Sequence, residues 1–589
     1  MAIDSAQPES PDIIEEKLAS EHVEQAANSG TNSPPREEWP QEKPKLNRQM
    51  VLAFIALTMQ FNAYILTLLI PSTTISTINA TLGPDPNYTW ITVSWTLAAS
   101  IIVSIGGRLS DIFGRRYFML FGASVSLIGC IVGATGQSIQ QMIASGAILG
   151  VGSGFQEMSY ACIQEIVPNQ WRIYAIGLFD LMASISFLGP LVAYAFIGQT
   201  SIGWRGAYVY MTCFHACALV LLFCVYYPPT FETKHKYDGK TKMQLLRELD
   251  YMGLFLFSAG CILFLLGVNW GGRQHPWNSA YVIAPMVIGV LCLVALGFWE
   301  AYADLKNPLM PPRLFKKWRR FTMVLVVCFV GGMLYYAMNV LWPRQSQLLF
   351  TGPDPIIKGL YSEMIPLGTI ISSFVVVFFC AQVGYERWQL FGFMIVETAL
   401  VGSLASVGLE SKVQAICTII FLSSTVTPPQ LLSFTMLSLG IDDQTDIGIA
   451  VGLAGTFRLL GGSIATAIYT SIVNNGFASA LPKQVTTEIT GLNFPASNLP
   501  ALLKAASANT AAAYKLVPGI TPSVTAAAGL AVKKAYVLAF RTTYLAAIGF
   551  GCAAIIAAFF TENIDKDMKT GNRAVRLENE APVTKEVDV

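Results

Sequence analysis

The chain has 589 residues, of which 53% are hydrophobic and 13% charged, with a formal net charge of +1. Soluble proteins are about a quarter charged, so this composition excludes an ordinary water-soluble fold, and the near-neutral balance excludes a basic nucleic-acid-binding surface. The 11 cysteines lie scattered, mostly in apolar runs that include Cys130, Cys213, Cys217 and Cys224; without a CxxC pair or a Cys/His cluster they point to buried apolar packing, and no metal or cofactor is expected.

Residues 1–48 are rich in Pro, Glu, Gln and Ser and read as a disordered tail with no signal-peptide core. Apolar stretches long enough to cross about 30 Å of hydrocarbon then recur near 50–71, 90–107, 117–136, 141–163, 173–197, 207–227, 250–270, 280–300, 320–341, 357–380, 388–408, 413–436, 446–471 and 539–560. They predict an all-α polytopic membrane protein with about 14 spanning helices. The expected division is a tail at 1–48, a six-helix half at 49–230, two linking helices with their loops at 231–318, a second six-helix half at 319–560 and a tail at 561–589.

An even number of spans puts both termini on one side. Lys and Arg crowd the short loops of that side, whereas the opposite short loops hold only Arg205, Arg273, Arg344, Lys358 and Lys412, so cytoplasmic termini are expected. Loop 72–89 then faces outward. Its sequons Asn79-Ala80-Thr81 and Asn87-Tyr88-Thr89 make Asn87, and second to it Asn79, candidate glycosylation acceptors. Segment 472–538 reads as a long outer loop, with amphipathic helices at 501–517 and 523–538 that lie on the outer face or cap its mouth.

Polar side chains inside the spans are the candidate site, because hydrocarbon offers them no partner. In the first span Gln60, Asn62, Tyr64 and Thr67 lie near mid-membrane. Between the second and third stands Gly106-Gly107-Arg108-Leu109-Ser110-Asp111-Ile112-Phe113-Gly114-Arg115-Arg116. Its glycines permit a tight turn and close helix approach, and Asp111 with Arg108, Arg115 and Arg116 can latch helices together. The fourth span carries Gly150, Gly152 and Gly154, then Glu157, and ends at Glu165 with Pro168 and Arg172 beyond; Glu165 is expected to pair with Arg108, Arg115 or Arg172. The fifth holds Asp180 and a bend at Gly189-Pro190.

In the later spans Tyr335, Tyr336, Asn339 and Trp342 are candidate substrate contacts beside Gln60, Asn62 and Tyr64, together with Arg458, which needs a partner in an apolar span. The buried acids Glu157, Asp180, Glu397 and Glu363 are candidate proton carriers, Glu157 and Asp180 sharing a cavity and Arg458 pairing with an acid of the second half. His215 reads as a core histidine. No Walker motif and no nucleophile or metal constellation is present, so neither an ATPase nor an enzyme is expected.

The segment Gly106 to Arg116 resembles the inner-loop signature of the major facilitator superfamily, with a degenerate second copy at Gly384-Tyr385-Glu386-Arg387. The 14-span count resembles the drug:proton antiporter branch, and Gly189-Pro190 resembles the signature of its exporters. The family's usual arginine four residues before Gly150 is replaced by Gly146. Phe61-Asn62-Ala63-Tyr64, Gln164-Glu165-Ile166-Val167-Pro168 and Asn269-Trp270-Gly271-Gly272 resemble the fungal trichothecene efflux pump family, with siderophore–iron transporters as near relatives. The resemblance implies a major facilitator fold, no cofactor, and a monomer in the lipid bilayer of the plasma membrane, or alternatively of the vacuole. It implies export of a toxic small-molecule substrate against protons, with ferric-siderophore uptake as the alternative.

Overall fold

A computed structural model of the chain describes residues 47–228, 241–271, 275–303, 305–306, 308–352, 354–441, 447–490, 492 and 494–564. The side chains of Ile105, Gly107, Arg108, Asp111, Ile112, Leu245, Asn269 and Ala511 lie outside that description. Helix α1 (Arg48–Leu82) starts where Asn47 accepts the Gln49 amide at 3.4 Å. Its 35 residues extend about 52 Å. Helices α2 (Trp90–Phe113) and α3 (Arg115–Ala134) are divided by Gly114 alone; its φ of 86° is open to glycine and unfavourable to other residues. Ser138 caps α4 (Ile139–Gln156), which breaks at Glu157 and Met158 before α5 (Ser159–Ile166). The expected bend in the fifth apolar stretch is a double break into α6 (Arg172–Met182), α7 (Ser184–Phe187) and α8 (Gly189–Gln199), and Pro190, lacking an N–H, occupies the first turn of α8 where none is needed. Helix α9 (Trp204–Val225) completes the first group.

The short α10 (Lys242–Arg247) precedes the paired α11 (Tyr251–Trp270) and α12 (Ala280–Tyr302), and α13 (Pro312–Lys316) leads onward. Then follow α14 (Met323–Leu349), α15 (Pro355–Ser362), α16 (Met364–Val375), α17 (Ala381–Val383), α18 (Glu386–Leu404), α19 (Lys412–Leu439) and α20 (Ile447–Ile489). The last helices are α21 (Leu499–Ala508), α22 (Ala511–Lys515) and α23 (Pro522–Phe560).

Eleven helical runs among the described residues are long and apolar enough to cross a membrane. The three other expected stretches, 90–107, 141–163 and 388–408, coincide with α2, α4–α5 and α18 but fall short of that measure. Helix α2 qualifies only as a shorter apolar helix over Trp90–Ser104, α4–α5 is interrupted at Glu157, and α18 carries Glu386, Arg387 and Glu397. The outward faces are apolar: α12 exposes Tyr281, Ile283, Val287, Leu291, Val294 and Phe298, a surface that suits lipid and not water.

Segment 472–538 carries the expected helices over 501–517 and 523–538, as α21–α22 and the start of α23, but its first part is not a loop. Its first part continues α20 to Ile489, and 523–538 forms the opening turns of α23, which Thr521 caps ahead of Pro522. The 43 residues of α20 and 39 of α23 extend about 65 and 58 Å, well beyond the hydrocarbon thickness. Outside the main bundle they build a small second core of Leu481, Val485, Leu502, Tyr514, Val524 and Val532, with Lys534 paired to Glu488 at 2.6 Å. Helix continuation won because the Ala-rich start of α23 favours helix and an apolar stripe on each extension had a partner to bury against. Since Gly448, at the start of α20, lies against Arg115, this extension sits at the end of the bundle opposite the Gly106–Arg116 turn.

Small residues set the closest helix contacts. A Cβ on Gly150 would overlap the Trp95 carbonyl, and one on Gly154 would come within 2.6 Å of Ile102 Cβ, so α4 packs backbone to backbone on α2. Gly461 presses in the same way on the Phe329 carbonyl, joining α20 to α14. Gly146 lies against the Ile91 carbonyl, leaving no room for the arginine that the sequence resemblance led one to look for. Gly150→Val is expected to destabilise the protein by about 3 kcal/mol, the upper end for overpacking; a thermal unfolding midpoint equal to wild type would contradict this packing.

Candidate functional site

Among the described residues a cavity between the helices is lined by Phe61, Tyr64, Ile65, Leu68, Tyr160, Asp180, Tyr335, Tyr336, Thr369, Thr427, Gln430, Leu431 and Arg458. It has about 20 Å³ of space for the centre of a water molecule, room for a single water; drug-sized ligands occupy sites of about 300–1,000 Å³. In this conformation the cavity is therefore too small for a drug-sized ligand.

Arg458, on α20, is the cavity's cation. Its Nη2 meets Glu157 Oε1 at 2.5 Å, where the break between α4 and α5 points that carboxylate inward. The guanidinium is surrounded by the rings of Phe434, Tyr160 and Tyr336, with centroids 5.3, 5.6 and 5.6 Å away, and Nη1 reaches Gln430 Oε1 at 3.5 Å. Tyr64 and Tyr336 share a 2.7 Å hydrogen bond between their hydroxyls. The expected partner for Arg458 was an acid of the later helices; its partner is instead Glu157, because α20 crosses close to α5 while Glu397 stands elsewhere. Asp180, on α6, lines the cavity directly and accepts a 2.7 Å hydrogen bond from Ser373 Oγ. Of the two acids expected to share a cavity, Asp180 lines it, whereas Glu157 does not and meets only its guanidinium, Arg458.

Other candidates lie apart from it. Glu397 is 1% exposed on α18, with neither carboxylate oxygen hydrogen-bonded, and does not line the cavity. Glu363, at the break between α15 and α16, accepts the Leu191 amide at 2.8 Å, one of the donors that the start of α8 leaves unpaired. Asn62 is not a cavity residue: its amide donates to the Met182 carbonyl at 3.2 Å and accepts from the Ser186 amide at 3.1 Å, clamping α1 to the broken α6–α7. Gln60 accepts from Gln156 at 3.1 Å, Asn339 donates to the Tyr335 carbonyl at 2.7 Å and Trp342 to the Tyr361 carbonyl at 2.7 Å; each is occupied by backbone or a neighbour. Asn79 ends α1, its side chain accepting the Asp85 amide at 3.0 Å, and Asn87 follows in the turn before α2. His215 is fully buried, 2.9 Å from the Met211 carbonyl.

Side-chain contacts tie the helices together at both ends of the bundle. At the Gly114 end Arg115 pairs with Glu165, and Arg172, fully buried, donates to the Ser438 carbonyl at 3.3 Å. Arg116 donates to the Phe223 carbonyl at 2.5 Å and covers the Tyr227 ring at 4.0 Å. Arg387, in the degenerate second copy, does the same for the last helix, donating to the Phe559 carbonyl at 2.7 Å and lying over its ring at 5.3 Å. Beside it Arg320 holds Glu562 at 3.2 Å, and these hydrogen bonds keep the Glu562 carboxyl below the usual range. Gly107, Arg108 and Asp111, expected in the latch, have side chains outside the described residues. At the opposite end Gln347 joins Ser76 at 3.3 Å and Tyr194 at 2.6 Å, near Glu363. The sequence reading passed over Tyr160, Ser373, Thr427 and Gln430; a polar run with Pro428-Pro429 inside an apolar helix was the available signal for the last two.

The family described as fungal trichothecene efflux pump (TRI12) matches residues 32–576. The chain is 28% identical over 525 residues to the trichothecene efflux pump TRI12 of Fusarium sporotrichioides, covering 88% of this chain and 86% of that protein. It is 27% identical over 507 residues to the MFS-type transporter prx5 of Penicillium rubens, covering 85% and 88%. Among solved structures, the proton:xylose symporter XylE superposes with a TM-score of 0.51 at 15% identity, over 73% of this chain and 90% of that one, which shows a common fold. A helical bundle closed around a buried ion pair, matched along nearly its whole length by that family, establishes that the chain belongs to the fungal trichothecene efflux pump family of the major facilitator superfamily.

Proposed function

We propose that the protein is a proton-coupled exporter of a toxic secondary metabolite, working by alternating access of the central cavity. In this reading 14 spans form two six-helix halves plus the linking α11–α12, the termini are cytoplasmic, and a monomer resides in the plasma membrane. The observation that carries the reading is a cavity lined by one carboxylate and one guanidinium from opposite halves, Asp180 and Arg458. Ionised Asp180 accepts a hydrogen bond from Ser373 and can accept another from a substrate hydroxyl. A proton on that carboxyl removes its charge and one acceptor site and so weakens its hold on a substrate hydroxyl; proton and substrate then compete, which is the requirement for exchange. Arg458 and the aromatic walls hold the remaining oxygen and ring surface of the substrate, and Glu157 balances the guanidinium when the cavity is empty.

Reconstitution into liposomes with an imposed pH gradient tests this. Uptake of a labelled trichothecene into vesicles with an acidic lumen is expected, with collapse of the pH gradient as substrate enters. Gradient-driven movement of a ferric siderophore in its place, or flux that ignores the gradient, would overturn it.

A further inference from the structure

Away from the cavity, where α11 begins and α12 finishes, two acids are packed together. Asp250 is 9% exposed and Glu300 7%. Asp250 Oδ1 accepts the Gly253 amide at 2.7 Å, which caps α11, and the Trp299 indole at 2.9 Å. Glu300 Oε1 accepts the Met310 amide at 3.1 Å, in the connector that leaves α12 for α14. The other two oxygens, Asp250 Oδ2 and Glu300 Oε2, are buried and meet no donor, and the indole bond from Trp299, the residue before Glu300, holds Asp250 against this end of α12.

Two carboxylates so placed repel where water cannot screen them, and each leaves a charged oxygen without a donor. A single proton between them removes both penalties. The surrounding charges do not. Lys306 pairs with Glu248 at 3.2 Å, Lys242 and Arg247 belong to α10, which packs on α2, and Arg313, Lys316 and Lys317 belong to α13 beyond the connector. Arg458 of the neighbouring α20 is paired with Glu157; the side chains of Arg108, Asp111 and Asp304 are outside the described residues.

We propose that Asp250 and Glu300 form a second proton-binding site, in which protonated Glu300 Oε2 donates to Asp250 Oδ2 and so fixes the connector between the linking helices and the second half. Asp250 Oδ1, with two donors, is the better anion, which places the proton on Glu300. Losing it ionises both groups, drives Glu300 away and frees the Met310 amide. Under the topology proposed above the site faces the cytosol, so its release would report alkaline cytosol; the proton sharing itself does not depend on that topology or on the transported substrate.

The sign follows from linkage: the folded protein holds a proton that the unfolded chain gives up, so stability falls as pH rises. In Glu300→Gln, Oε1 still accepts from Met310 and the amide N–H replaces the shared proton permanently. Asp250→Asn supplies the same donor from the other side and keeps a capping residue. For the purified full-length protein in detergent, the wild-type thermal midpoint is expected to drop by a few degrees between about pH 6 and pH 9 relative to either variant, whose own profiles flatten, while Glu300→Ala is destabilised across the range. Wild-type and amide variants with parallel pH profiles would overturn the proposal, as would instability of both amide variants at acidic pH, where they reproduce the protonated pair.

Discussion

Glu157→Gln is expected to lower gradient-driven transport about 100-fold or more, with a smaller loss of folded protein, and Glu157→Gln/Arg458→Gln to regain stability without regaining transport. The reason lies in what remains when one partner of a buried pair is removed. Glu157 and Arg458 side chains are 3% and 5% exposed, and an uncompensated charge at such a site costs about 3–5 kcal/mol. The rings of Tyr160, Tyr336 and Phe434 return only part of this, since a cation–π contact is worth about 0.5–2 kcal/mol. This conformation is then penalised relative to any form in which water reaches Arg458, and 3 kcal/mol is already a shift of about 150-fold in population. Removing the guanidinium as well restores this conformation, because no charge is stranded, but takes away the cation facing Asp180. Measured per folded molecule, unchanged pH-driven flux in Glu157→Gln would sink this account, as would strict additivity of the two substitutions in unfolding.

How far the sequence reached this site depends on whether the signal was local. Gly114 and Pro190 were legible because their backbone restrictions act wherever they stand, and both divide helices in the structure. The Arg115–Glu165 pair was within reach too, since short connections bring the two helix ends together. Asn62 shows the opposite case. A polar residue at mid-span must find a partner, but sequence does not say whether that partner is a substrate or, as here, the Ser186 amide 124 residues away. Arg458 was recognised as needing an acid; its choice of Glu157 over Glu397 is a matter of helix packing across 301 positions. Segment 472–538 was legible in part: helix was expected over 501–517 and 523–538 and is present there, whereas 472–489 was read as loop, and only its packing against α23 reveals that α20 continues through it. Asp250 and Glu300 were passed over because each looks ordinary alone, one a helix cap and the other an acid near a span's end.

Arg172→Met is expected to open the Gly114 end of the bundle. Arg172 is fully buried and reaches Ser438 near the C-terminus of α19, so a cation of α6 sits on the negative end of the α19 helix dipole. Neighbouring Arg115 is held by Glu165 and lies against Gly448, at the start of α20. These contacts join the earlier helices to α19 and α20 at this end, while Gln347 and Glu363 join α14 and the α15–α16 break to the earlier helices at the other. A hydrogen bond from a charged donor contributes about 1.5–3 kcal/mol, equivalent to roughly 10- to 150-fold in the ratio of closed to open forms. Methionine keeps much of the side-chain length and apolar contact, so the loss is electrostatic and not a cavity. In a background otherwise without cysteine, Ser438→Cys should therefore react at least about tenfold faster with an impermeant thiol reagent from this side when Arg172 is Met. Transport should fall by a comparable factor, since an exporter that cannot close toward its substrate's source leaks its cargo back. Equal labelling rates with and without Arg172 would mean that the Arg172–Ser438 contact does not carry closure at this end.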